Sequence, residues 1–360
     1  MASKTINFNT PVDLKDVPGL IMAIGEQRTV LLRGEPGIGK STVLRMLEQA
    51  YKDTHDTIYA DCPVLDVSDV VMRIPDHGTK TLQSYVSELF RLDSPKPKII
   101  MLDEVTKANK LLQVIFTRLM LERTVGDTAL PEGSIVFATG NNISDGVGDT
   151  LSAHVLNRLC VINVRKPDAA RWNLWATDNN VSRIVRAWVA INPSSLASYL
   201  DGGQEENPYI FNPGRPIVSF VTPRSLVGAD AVIKKRDELG NYVTQAALAG
   251  LCGAAFADSI AAFMSMEKEL VSVKDIIANP DGVQIPERPA ALFMTMFNAV
   301  DTIETQDDLS NFMTFVKRIR SEEVQECFFT MAFQSKRTTK LARTNNDLRE
   351  WGMKHIELLV

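Results

Sequence analysis

Residues 29–41 read Thr29-Val-Leu-Leu-Arg33 and then, without a break, Gly34-Glu-Pro-Gly-Ile-Gly-Lys40-Ser41, and a helical pattern follows over Ser41–Ala50. A strand-like run, a loop fitting G-x-x-x-x-G-K-[ST] and a helix, in that order, make a phosphate cradle. The glycines let the backbone curl until successive N–H groups point at phosphate oxygens. The helix N-terminus adds its partial positive charge. Gly34, Glu35, Pro36, Gly37, Ile38, Gly39, Lys40, Ser41 and Thr42 form the candidate nucleotide-binding set. Within it Lys40 would bridge the β- and γ-phosphates, and the Ser41 hydroxyl would hold Mg2+.

Outward from the loop, short β-branched runs alternate with helical patterns through residue 165. The clearest strands are Thr29–Arg33, Ile58–Asp61, Lys98–Leu102, Ser134–Thr139 and Cys160–Val164, an α/β pattern with a parallel sheet. Ile99-Ile-Met-Leu102 has no alternation and suits a central strand covered on both faces. It leads into Asp103-Glu104, two carboxylates at a strand's C-terminal edge, where ligands of open α/β sheets bind. Asp103 can reach Mg2+ through water, and Glu104 can orient and deprotonate an attacking water, since phosphoryl transfer is mostly positioning and charge stabilisation.

Beyond Pro167 strands disappear. Helices are predicted over 168–177, 181–191, 225–239, 242–253 and 254–266, with a Gly-, Pro- and Asn-rich loop at 201–216. Leu309, Phe312, Met313, Val316 and Ile319 make a core-facing helical stripe. Ala247–Met264 is the most membrane-like stretch, but Gly250, Gly253, Asp258 and Ser259 interrupt it, so a packed helix pair is expected. Hydrophobic residues make up 45% and charged residues 23% of the 360, which excludes a disordered chain. A net charge of −5 leaves no electrostatic footprint for nucleic acid or an anionic membrane. The four cysteines are scattered, with only four histidines, which argues against zinc and for a reducing compartment. No apolar leader opens the chain, so a cytoplasmic protein is expected. Asn109-Lys110 lacks the x-Asp that would read guanine. Lys336–Lys354 reads as a basic solvated helix face.

The chain resembles the AAA+ ATPases, and within them the MoxR-like ATPases of the helix-2-insert group, over most of residues 8–300. GEPGIGKST and MLDEVTKANKLLQVIFTRLMLERTVGD look like that group's Walker A loop and Walker B region, with Val105-Thr-Lys-Ala108 where the group has an Asn-Arg-Ala-like turn. Asp66–Phe90 looks like the helix-2 insert, which in the family faces the ring's pore, as would the hairpin around Gly126-Asp127. Ala138-Thr-Gly-Asn141-Asn142 resembles the sensor 1 strand, so Asn141 would contact the γ-phosphate and attacking water; Asn142 stands where Pro is common. Ser152–Cys160 resembles the box that carries the arginine finger, assigning Arg158 to a neighbour's γ-phosphate, with Leu159 in place of Phe. Thr222-Pro-Arg224-Ser225 resembles sensor 2, making Arg224 the lid's phosphate contact. The implied fold is α/β: a P-loop NTPase three-layer αβα core with a parallel sheet (1–165, insert about 66–90), an all-helical AAA+ lid (166–300) and a C-terminal helical extension (301–360).

The resemblance implies an ATPase using ATP and Mg2+, assembled as a homo-oligomeric ring such as a hexamer, that remodels or activates a partner protein as a chaperone or switch. Lid segments at 168–175, 250–263 and 285–291 resemble MoxR-like ATPases that accompany von Willebrand factor A-domain proteins. Such a client would take a surface carboxylate, with candidates in Asp201, Glu205 and Glu206 or in Asp145–Asp149. The competing reading is a nucleic-acid motor or loader, disfavoured by the acidic balance and the lack of a DNA-binding module. A nucleotide-gated scaffold fits less well, because Glu104, Asn141 and Arg158 are all present.

Overall fold

The computed structural model describes residues 11–141, 151–214, 218–267 and 270–354. Asn142 and Asp145–Asp149 lie outside the described residues. The chain divides into two units, 1–166 and 167–360.

In the first unit the strands are β1 (Val30–Arg33), β2 (Asp56–Asp61), β3 (Val71–Asp76), β4 (Thr81–Val86), β5 (Lys98–Asp103), β6 (Thr124–Val125), β7 (Thr128–Ala129), β8 (Ile135–Gly140) and β9 (Cys160–Asn163). Its helices are α1 (Val17–Ile24), α2 (Thr42–Tyr51), α3 (Lys110–Glu122) and α4 (Ala153–Leu156). β2, β5, β8, β1 and β9 lie in that order in one sheet, every pairing parallel. The apolar run of β5 serves both faces. Ile100 and Leu102 pack with Leu112, Phe116 and Leu119 of α3. Ile99 and Met101 pack with Ile21 of α1 and Val43 and Leu47 of α2. The result is the three-layer αβα arrangement with a central parallel sheet, and the five expected strands occur within two residues of their expected bounds.

Lys98 enters β5 fully buried, and its Nζ pairs with Asp56 Oδ2 at 2.7 Å across the β2–β5 step. That neighbour holds the Asp56 carboxyl below its usual range.

The insert at 66–90 contains no α-helix. A single 3-10 turn (Val67–Asp69) leads into the antiparallel β3–β4 hairpin, and another (Glu88–Phe90) leaves it. In that ladder Met72 stands opposite Tyr85 and Ile74 opposite Gln83. The turn at Gly126-Asp127 joins β6 to β7, and Ser84 Oγ of β4 donates to Asp127 Oδ2 at 2.7 Å, tying the two hairpins together.

All regular elements described in the second unit are helical: α5 (Ala169–Asp178), α6 (Arg183–Ile191), α7 (Pro223–Lys234), α8 (Arg236–Cys252), α9 (Ala254–Met266), α10 (Val273–Ala278), α11 (Pro289–Thr302), α12 (Gln306–Lys317), α13 (Glu322–Gln334), α14 (Thr339–Thr344) and α15 (Asn346–Lys354), besides short 3-10 turns. One core runs from Ala169 to Leu348, through both the expected lid and the expected extension. Buried Arg186 of α6 ties them further: it pairs with Asp301 of α11, which also faces Arg337 at 3.6 Å. The helix expected over 225–239 instead ends at Lys234, and α8 breaks at Gly240, near the expected start at Tyr242. Ala247–Met264 is a helix pair, and among the described residues no helix is long and apolar enough to cross a membrane.

That pair depends on Gly253, which holds φ 92° and ψ 159° between α8 and α9. A Cβ there would sit 2.9 Å from the Ser219 carbonyl oxygen, in a conformation open essentially to glycine alone. Gly253→Ala is expected to destabilise the protein by about 1–3 kcal/mol. Gly250→Ala, three residues earlier with open space around its Cβ position, should be neutral or stabilising by up to about 1 kcal/mol. Denaturant midpoints of the two variants check this, and equal effects would contradict it.

Candidate functional site

The loop between β1 and α2 takes the shape its glycines permit. Gly37 and Gly39 have φ of 76° and 102°, values at which a side chain would be strained. Ile38 turns inward and is buried in the α1/α2 side of the core, anchoring the loop from below. Lys40 is only 8% exposed, and its Nζ donates to the carbonyl oxygens of Gly34 (2.7 Å) and Glu35 (3.0 Å), with Asn141 Oδ1 at 3.5 Å. The ammonium thus lies inside the curl, between the loop and the end of β8. Glu35 turns its buried carboxylate to buried Lys166 at 3.7 Å, so its contribution to the cradle is backbone. Ser41 and Thr42 open α2, with Ser41 as its N-cap.

Asp103 closes β5 and collects three hydroxyl donors. Its Oδ2 accepts from Ser41 Oγ at 3.1 Å and from Tyr59 Oη at 2.9 Å, and its Oδ1 accepts from Thr139 Oγ1. Burial, and then the bond to Asp103, push the Tyr59 phenol well above its ordinary value, so it stays a donor. Thr139 oxygen in turn accepts from the Glu104 N–H at 2.9 Å. Glu104 holds a left-handed backbone, φ 51° and ψ 40°, which costs a non-glycine residue on the order of 1–3 kcal/mol. Its carboxylate pairs with Lys107 at 2.7 Å. A serine hydroxyl beside a carboxylate, at a helix N-terminus, is a hard-oxygen set that suits Mg2+; Ser41 and Asp103 are the residues that would hold it.

Arg158 is exposed, on the turn between α4 and β9. In the parallel register Cys160 lies beside Val30, the first residue of β1. Arg158 therefore stands at the amino edge of the sheet, and its own phosphate loop opens at the carboxyl edge, about 13 Å of strand away. Among the described residues its guanidinium has no partner; Arg28 donates only to its backbone carbonyl at 3.0 Å. Arg224 lies in the second unit, exposed in the first turn of α7, whose N-cap Thr222 and Ser225 form a capping box.

Residues 29–159 match the AAA domain of the dynein-related subfamily. No curated protein shows a significant match. Among solved structures, a protein of Cytophaga hutchinsonii described as an ATPase is 17% identical, covering 78% of this chain and 92% of that one, TM-score 0.34. The Thermotoga maritima RuvB Holliday junction branch migration motor is 14% identical over 86% and 89%, TM-score 0.36. A closed-state Hsp104 reconstruction with ATPγS and FITC-casein is 17% identical over 44% and 32%, TM-score 0.33, so the chain spans about a third of that protein. At such low scores these likenesses carry no weight, and the fold rests on the strand order above.

The matched segment contains Lys40, Ser41, Asp103, Glu104, Asn141 and Arg158. The structure gathers the first five at one sheet edge, places Arg158 at the other, and leaves Arg224 in the other unit. Sequence reading missed Tyr59, Thr139 and Lys107. Thr139 was legible as the polar residue two positions before Asn141. Tyr59 needed the β2–β5 register, which sets it opposite Met101, two residues before Asp103 on the same face. Asn109, which lacks a guanine-reading partner, is the N-cap of α3 and accepts from Leu112 N–H at 2.9 Å. In the loop at 201–216, Asp201 accepts from Ser198 N–H at 2.8 Å and is engaged in its own turn, whereas Glu205 is exposed.

Two outcomes are expected. Lys40→Ala should abolish nucleotide binding, read by a fluorescent ATP analogue, while the melting profile stays native; retained affinity would contradict the cradle. Thr139→Val keeps the shape but leaves the part-buried Glu104 N–H without its acceptor, which should cost about 1 kcal/mol. Its hydrolysis should fall with nucleotide affinity nearly unchanged, and wild-type turnover would show that Thr139 orients neither carboxylate.

Proposed function

We propose that the chain is an ATPase whose catalytic site is completed between neighbouring subunits of a ring, and which uses ATP hydrolysis to remodel a partner protein. The observation that carries this reading is the position of Arg158. A guanidinium without a partner among the described residues, at the sheet edge opposite its own cradle, serves phosphoryl transfer best by reaching a neighbour's cradle. The remaining residues divide the chemistry. Backbone N–H groups of Gly37–Ser41 and the Lys40 ammonium bind the phosphate tail. Ser41 and Asp103 would hold Mg2+, which would supply positive charge against the phosphate tail. Glu104 and Asn141 orient the attacking water. The Lys107 contact fixes one carboxylate oxygen of Glu104, leaving the other for the water.

Met72, Ile74, Leu82 and Tyr85 on the β3–β4 hairpin are all exposed. Apolar exposure on a protruding hairpin suits a polypeptide client better than a phosphodiester backbone, whose recognition is dominated by cationic contacts. The proposal extends to Arg224 as a phosphate contact from the second unit acting as a lid. It extends also to a von Willebrand factor A-domain protein as client, engaged through an exposed carboxylate such as Glu205. A Mg2+-dependent co-purification from the native host tests that client; recovery of nucleic acid instead would favour the motor-or-loader alternative.

Glu104→Gln should bind ATP and hydrolyse it very slowly. Arg158→Ala should bind ATP nearly normally and lose hydrolysis by about 10³-fold. Mixing Arg158→Ala with Lys40→Ala subunits should restore part of the activity, since one supplies the cradle and the other the finger. Mixed assemblies that stay inactive would refute the shared site, and a fully active Arg158→Ala would remove Arg158 from the chemistry.

A further inference from the structure

We infer that Tyr59 is a positioning residue for the divalent cation: its hydroxyl holds the Asp103 carboxylate in the orientation that a metal shared with Ser41 requires. The inference rests on the nucleotide-binding reading above and adds a residue to it. Ser41 Oγ donates its single hydrogen to Asp103 Oδ2 at 3.1 Å. A hydroxyl has one hydrogen and two lone pairs, so this bond aims the lone pairs of Ser41 away from the carboxylate, where a cation would sit. The arrangement works only while Asp103 stays put, and two further hydroxyls keep it there. Thr139 holds Oδ1 from the β8 side. Tyr59 holds Oδ2 at 2.9 Å from β2 on the opposite side.

The two differ in what else they do. Thr139 is fully buried and also caps the Glu104 N–H, so its hydroxyl has a structural duty. Tyr59 is 47% exposed on an edge strand. Its bond to Asp103 is an exposed one, and a single such bond adds little to folding, so the fold does not demand it. Removing the oxygen leaves the ring and the fold but frees one side of Asp103, which can then rotate off the metal position. Partners that orient a metal ligand typically contribute 10–100-fold to affinity, and solvent exposure of Tyr59 puts it at the lower end.

The test is Tyr59→Phe in the full chain, with Mn2+ as the probe: free Mn2+ is followed by electron paramagnetic resonance in the presence of saturating ADP. The half-saturating Mn2+ concentration is expected to rise about 10-fold. Binding of a fluorescent ADP analogue in EDTA and the melting midpoint should both match wild type. An unchanged Mn2+ titration overturns the inference. So does weaker nucleotide binding in EDTA or a lowered melting midpoint in the variant, either of which would make Tyr59 a packing residue. Wild-type protein that binds no nucleotide at all would overturn the functional reading, and this inference with it, and would be seen without the variant.

Discussion

Parallel alignment of β1, β5 and β8 constrains everything else in the first unit. Because the three strands run the same way in adjacent positions, Arg33, Asp103 and Gly140 all end at one edge of the sheet. The next residues of each strand must turn there: the phosphate loop, Glu104 and Asn141. No pairwise attraction between Lys40, Asp103 and Asn141 is needed to assemble them. Burial of Ile99–Leu102 on both faces sets the strand order, and strand order sets the site. The same register sends Arg158 to the opposite edge, away from the loop and the two carboxylates of its own chain.

Within that frame Asp103 is the hub. Three hydroxyls from three elements converge on one carboxylate, which is the arrangement expected where the position of a charge matters more than its burial energy. Thr139 links the two acidic residues by accepting from the Glu104 backbone while donating to Asp103. Glu104 itself occupies a left-handed conformation that costs energy, and the Thr139 acceptor and the Lys107 ion pair offset that cost. Strain compensated by fixed partners is a frequent mark of a functional residue. Glu35 shows the reverse economy: a charged residue inside the loop motif whose side chain turns away to Lys166 and leaves the phosphates to the backbone.

The second unit follows a different logic. Its helices share one core, and Arg186, buried among Thr177, Asp301 and the Phe297 ring, joins segments that are distant in sequence. The boundary near residue 300 that the resemblance implies falls within that core, where the apolar faces of α11, α12 and α13 are covered by one another and by α6.

The sequence by itself determined the αβα core, the five strands, the glycine-dependent loop and the identities of Lys40, Ser41, Asp103 and Glu104. These are read from local chemistry: a loop motif needs particular residues at fixed spacing, and a doubly covered strand needs a continuous apolar run. The helical second half and its Gly253 break were legible for the same reason. Tertiary structure alone decided the rest. The segment 66–90 became a hairpin between single turns, since two short runs without a regular period are ambiguous until they pair with each other. Tyr59 and Thr139 joined the site through inter-strand register, which local patterns do not encode. Lys107 meets Glu104 only because the backbone reverses at a left-handed residue. Which edge of the sheet Arg158 occupies follows from β9 pairing with β1 in parallel, a non-local choice.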